Sequence, residues 1–101
     1  MTTIDPSTIS IRFAAERDRP SLVRLAALDS APVPNGDVLL ASVDGEPRAA
    51  LSVHDGHVVA DPFRPTADLV ALLRARASHL ATRRDRRRSS VLRRLAARQA
   101  A

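Results

Sequence analysis

Residues 9–13 alternate, with Ile9, Ile11 and Phe13 apolar and Ser10 and Arg12 polar. This period of two predicts a short β-strand. The spacing then turns helical, with Leu22, Val23, Leu25, Ala26 and Leu28 following Asp18-Arg19-Pro20-Ser21. Asp18 is the expected N-cap, and Pro20 is tolerated because proline fits the first turn of a helix. Pro32 and Pro34 predict that this helix stops near Ser30, and Asn35-Gly36 predicts a turn.

A meander follows. Val38 to Val43 is an apolar run of strand length, closed by Asp44-Gly45, a favoured two-residue hairpin turn. Arg48 to Val53 returns, with Ala49, Leu51 and Val53 on one face. Asp55-Gly56 predicts a second such turn, His57 to Ala60 a further strand, and Asp61-Pro62 the end of the ladder. Thr66 can cap a second helix, with Asp68 in its first turn favoured by the helix dipole. Its apolar stripe is Leu69, Val70, Leu72, Leu73, Ala77 and Leu80.

These elements define an α+β domain over residues 9–81. An antiparallel sheet of about four strands, in the order strand, helix, three-stranded meander, helix, packs against two helices. The expected core is Ile11, Phe13, Leu22, Leu25, Leu40, Leu51, Val53, Val58, Leu69, Leu72 and Leu73. Residues 1–8 read as a flexible N-terminus and residues 82–101 as a basic Arg-rich tail, either a frayed helix or disordered. Arg83/Arg87 and Arg84/Arg88 would be like-charge pairs one helical turn apart, each costing about 0.2–0.5 kcal/mol. Val91, Leu92 and Leu95 form a small apolar patch inside that tail.

Charge sharpens this division. All 16 basic residues are arginine. Residues 1–73 hold 6 Arg against 10 acids, a net of −4, whereas residues 74–101 hold 10 Arg against Asp85 alone, a net of +9. The chain has no cysteine, which excludes disulfides, thiolate metal sites and cysteine nucleophiles. Phe13 and Phe63 are its only aromatic residues, which argues against recognition of single strands by base stacking. Neither a signal-peptide pattern nor an apolar run of membrane-spanning length is present, so a cytoplasmic address is the expectation.

The strand Ile9–Phe13, the stretch Ala14-Ala15-Glu16-Arg17-Asp18-Arg19-Pro20 and the helix Ser21–Leu28 resemble the opening of the GNAT N-acetyltransferase fold. Val38 to Leu51, around Asp44-Gly45-Glu46-Pro47, is similar to that family's central hairpin. The resemblance covers roughly residues 9–81 and implies the N-terminal half of the fold. In the family, a Gly-rich loop before the next helix holds the coenzyme A pyrophosphate on backbone N–H groups. The corresponding stretch here is Val59-Ala60-Asp61-Pro62-Phe63-Arg64-Pro65-Thr66-Ala67-Asp68-Leu69. Pro62 and Arg64 fit the pattern, but the glycines are absent, Pro65 has no N–H, and Asp68 places a negative charge near the phosphate position. Gly36, Gly45 and Gly56 all belong to turns. The chain ends before the family's later strands and has no tyrosine to stand for the one they often carry. The resemblance therefore implies the fold of a truncated, degenerate acetyltransferase-like domain without transferase activity of its own, acting as a binding or structural module.

Other chemistry is sparse. His54, Asp55 and His57 flank one turn as a metal-like trio, but so tight a turn seldom converges three ligands, and they read as exposed hairpin residues. His79 reads as structural. Ser42 and Ser52 lie in strands without a nucleophile elbow, and Asp44/Glu46 as a solvated pair. No catalytic, cofactor-binding or metal residue is assigned. Two alternatives remain. The tail, through Arg83-Arg84-Asp85-Arg86-Arg87-Arg88, could bind nucleic acid or an anionic surface without sequence preference. The other is an acyl-CoA-binding N-acetyltransferase, with acetyl-CoA as its cofactor. An open sheet edge suggests a homodimer or a protein partner.

Overall fold

The computed structural model describes the backbone of residues 8–100, with side chains over residues 8–83 and at Arg87. The expectations for residues 1–7 and for the Val91, Leu92 and Leu95 patch lie outside what is described. The elements are β1 (Ile9–Phe13), a 3₁₀ turn (Glu16–Asp18), α1 (Arg19–Leu28), β2 (Val38–Val43), β3 (Glu46–Ser52), β4 (Val58–Ala60) and α2 (Ala67–Ala100). The four strands form one antiparallel sheet in the order β1-β2-β3-β4. The α+β architecture, with two helices on a four-stranded sheet, is as the pattern predicts.

The helices lie on opposite faces. Leu22, Leu25 and Ala26 of α1 pack with Val38, Leu40, Ala50 and Val59. Leu69 and Leu73 of α2 pack with Leu39, Ala41, Ala49 and Leu51 on the other face. This explains why Val38-Leu39-Leu40-Ala41 is continuously apolar, since alternate residues of a strand enter opposite cores. Small residues at Ala41, Ala49 and Ala50, all fully buried, bring the backbones of β2 and β3 close under both helices.

Two expected core positions are corrected. Phe13 is 50% exposed and Leu72 45% exposed. α2 packs mainly on β2 and β3, and its cover reaches Ile11 of β1 but not Phe13. Its buried stripe is the narrow line Leu69–Leu73, continued by the partly buried Ala77 and Leu80, and Leu72 falls outside it. Ile11, Val53 and Val58 are half-buried at the margin of the same cluster.

The first hairpin turn is as expected. Asp44 and Gly45 have φ of 51° and 84°, the two positive values of a type I′ turn that suits the twist of the flanking strands. The second is not a two-residue turn. β3 ends at Ser52 and β4 begins at Val58, while Val53 N–H extends the β2–β3 pairing by one more bond, to the Asp37 carbonyl at 2.9 Å. The chain closes with Gly56 N–H donating to the Ser52 carbonyl at 2.8 Å and Ser52 N–H to the His57 carbonyl at 2.9 Å.

α1 ends two residues before Ser30, which takes the left-handed φ of 51°. Ala31 N–H bonds the Ala26 carbonyl and Ser30 N–H the Ala27 carbonyl, a Schellman closure that satisfies the last carbonyls. Ala31 packs on the α1 core beside it. α2 continues for 34 residues, about 51 Å at 1.5 Å per residue, so the Arg-rich stretch belongs to the same helix that covers the sheet. No helix among the described residues is long and apolar enough to cross a membrane.

Candidate functional site

The connection from β4 to α2 is the place where the resemblance puts a phosphate cradle, and its hydrogen bonds can be followed group by group. Pro62 and Pro65 have no N–H to offer. Phe63 N–H donates to Asp61 Oδ1 at 2.9 Å, and Arg64 N–H points to the Asp61 carbonyl at 3.4 Å. The Asp61 carboxylate is buried and faces Arg48 Nη1 across 3.9 Å. Asp61 N–H in turn donates to the Arg48 carbonyl at 2.9 Å. The Phe63 and Arg64 amides are thus turned inward onto Asp61.

Arg48 reaches that position because the β2–β3 register slips by one residue. Ala41 pairs with Ala49, but Ser42 pairs with Pro47, so Arg48 is the extra residue of a bulge. Bulges redirect a side chain. The guanidinium also bonds Glu46 Oε2 at 2.6 Å. Sequence pattern missed this trio, because a one-residue slip leaves no mark in apolar periodicity. The only hint was Asp61-Pro62, read there as a strand end.

Past the loop, α2 opens with the Thr66 carbonyl accepting from Val70 N–H at 2.9 Å, and Asp68 lies in the first turn. A carboxylate at this end satisfies the helix dipole that would otherwise attract an anion. Arg64 and Phe63 are exposed, Phe63 at 79%.

Asp18 takes the expected position but not the expected bond. It stands at the N-cap position of α1, yet its carboxylate makes no bond to that helix. It turns back to accept from Arg12 Nη1 and Nη2 at 2.7 and 2.9 Å, and from Ala15 N–H at 2.7 Å. The Arg12 bonds, followed by the Ala15 N–H, hold the carboxyl far below its ordinary range. This site ties β1 to α1 and presents no free acid or base.

The histidines do not converge. His57 Nε2–H donates to the Pro32 carbonyl at 2.7 Å, which fixes the tautomer because a carbonyl can only accept. Asp55 Oδ1 accepts from His57 N–H at 2.9 Å, and that bond lowers the Asp55 pKa. His54 and His79 are exposed elsewhere. Among the described residues no three His, Cys, Asp or Glu side chains group as a metal site. A shallow open groove of about 510 Å³ lies between Pro32–Asn35 and Asp55–His57, with the His57 ring anchored at its wall. Ser52 Oγ is buried and donates to the Asn35 carbonyl at 2.9 Å, so it closes the Asn35 turn. Arg74, Arg76, Arg83 and Arg87 are exposed along α2.

Comparison with known proteins adds no identity. No family model, no curated protein and no solved structure matches the chain.

Proposed function

We propose that this chain is a GNAT-like α+β domain that serves as a binding or structural module in the cytoplasm and does not itself transfer acetyl groups. The support for the likeness is the element order, strand, helix, three-stranded meander, helix, together with the type I′ hairpin at Asp44-Gly45. The observation that carries the functional reading is the β4–α2 connection. The Phe63 and Arg64 amides are directed at Asp61, the Asp61 amide at the Arg48 carbonyl, its two prolines donate nothing, and Asp68 stands at the helix start. A pyrophosphate needs several convergent N–H donors and no competing carboxylate. Binding it here requires breaking the Asp61 bonds and bringing like charges together.

Calorimetric titration of acetyl-CoA into the full chain at physiological salt tests this, with inorganic pyrophosphate titrated in parallel. The reading expects no saturable heat for acetyl-CoA beyond that for pyrophosphate. Saturable micromolar binding of acetyl-CoA alone would overturn it in favour of an acyl-CoA-binding N-acetyltransferase.

A second reading rests on α2. Arg83 and Arg87 are exposed one helical turn apart on a helix that carries the whole Arg-rich stretch. Such a surface suits a polyanion bound without sequence preference. Engagement of five phosphates would give a log–log salt slope of about −4.5 for duplex DNA. A slope near zero, or no binding at low salt, removes this reading.

A further inference from the structure

The two edges of the sheet are finished differently. At β4 the Asp61–Arg48 and Ser52–His57 backbone bonds fix the phase of the ladder. Bonded pairs alternate in an antiparallel ladder, so Val59 turns its N–H and C=O toward β3, and Val58 and Ala60 turn theirs outward. That edge is only three residues long, and Asp29 Oδ2 of α1 already takes the Ala60 N–H at 3.1 Å. A short strand with a carboxylate over it is a protected edge.

At β1 the phase is fixed by Asp44 N–H bonded to the Thr8 carbonyl and Ala14 N–H bonded to the Val38 carbonyl. Ser10 and Arg12 therefore face β2, and Ile9, Ile11 and Phe13 direct both backbone groups to the open side. Their side chains lie on the α2 face, where Ile9 is 47% and Phe13 50% exposed while Ile11 is half-buried at the margin of the α2 cluster. One carbonyl, that of Phe13, accepts from Arg12 Nη1 at 3.3 Å and keeps its second lone pair. Arg12 is the only charge on the strand, and Asp18 neutralises it.

We propose that two copies of this chain associate through antiparallel pairing of β1 with β1 about a two-fold axis at Ile11, making one continuous sheet. A two-fold interface must be self-complementary, and the strand is. Apolar and polar positions are symmetric about Ile11. In this register Ile9 meets Phe13 of the second copy and Ile11 meets Ile11, so every outward N–H and C=O finds a partner. Arg12 falls opposite Ser10 of the second copy. Shifting the axis to Arg12 sets the two Arg12 side chains directly opposite, where like charges are destabilising. Shifting it to Ser10 removes Phe13 from the Ile9–Phe13 pairs. This surface is separate from the β4–α2 connection, and the inference stands whether or not acetyl-CoA binds.

The absence of cysteine makes the register readable. Ile11→Cys, Ser10→Cys and Arg12→Cys are each oxidised mildly at equal concentration. A residue pairs with itself only on the axis, where Cα atoms about 5.5 Å apart lie within disulfide range. Ile11→Cys is expected to give a covalent dimer, with the other two lagging at least tenfold. Equal or faster linkage of Ser10→Cys or Arg12→Cys, or none for Ile11→Cys, overturns the proposal. Scattering of the unmodified chain should show the mass rise from 10.9 kDa toward twice that with concentration. The rise should be larger at high salt, which screens the +5 carried by each copy. A constant monomer mass also overturns it. Ile11→Pro removes an outward N–H, which an edge strand tolerates, and trims a half-buried side chain at the margin of the α2 cluster. It should keep the native circular dichroism and abolish the mass increase, and a folded variant that still dimerises contradicts the pairing.

Discussion

The Asp18 carboxylate accepts from the Arg12 fork and from Ala15 N–H at the passage from β1 into α1. These bonds depress its pKa, so the folded chain takes up a proton there less readily than the unfolded chain. The sign follows from that. The stabilisation is complete above the ordinary carboxylate value of about 4 and is lost as the pH falls below it toward the lower native value. Thermal melts should therefore show that Asp18→Asn lowers Tm at neutral pH and that the gap to the native chain narrows in acid. A gap that stays constant to low pH would contradict the assignment. Leu73 and Leu72 make a second contrast, as neighbours at 0% and 45% exposure. Denaturant unfolding should show Leu73→Ala costing about 2–5 kcal/mol and Leu72→Ala less than about 1 kcal/mol. The pattern alone put both in the core, because helical periodicity identifies a side of the helix but not the width of the sheet it meets.

Elements were legible where local chemistry decides them. The Asp44-Gly45 hairpin needed no tertiary information, since positive φ at both positions favours those residue types. Gly45→Ala should cost about 1–2 kcal/mol through backbone strain alone, because an added Cβ meets nothing within 4 Å. Chemical denaturation measures this directly. Asp55-Gly56 carries the same dipeptide yet sits in a longer connection, because the β3–β4 register pairs Ser52 with His57 and leaves four residues between them. Asp18 likewise looked like an N-cap from its place before Arg19-Pro20, while Arg12, on a different element, claims its carboxylate. The Arg48 bulge belongs with these. Register and long-range partners decide all three, and neither leaves a periodic trace. Of the candidate site, the absent glycines and Pro65 were readable from the residues, whereas the capture of the loop amides by Asp61 was not.

At the scale of the whole molecule, a sheet covered over β2 and β3 carries a 34-residue α2 that contributes to an overall extent of 70 × 33 × 23 Å. The β4–α2 connection is closed onto Asp61, the β1 edge is exposed, and α2 carries exposed arginines. In the proposed function, the Phe63 and Arg64 amides serve Asp61 and hold no phosphate. Amide-resolved NMR during titration of acetyl-CoA into the full chain reads those two N–H groups directly. Their resonances should stay in place at physiological salt, with any shifts confined to the arginines of α2 and suppressed by added salt. Saturable shifts of the Phe63 and Arg64 amides that persist at high salt would contradict it.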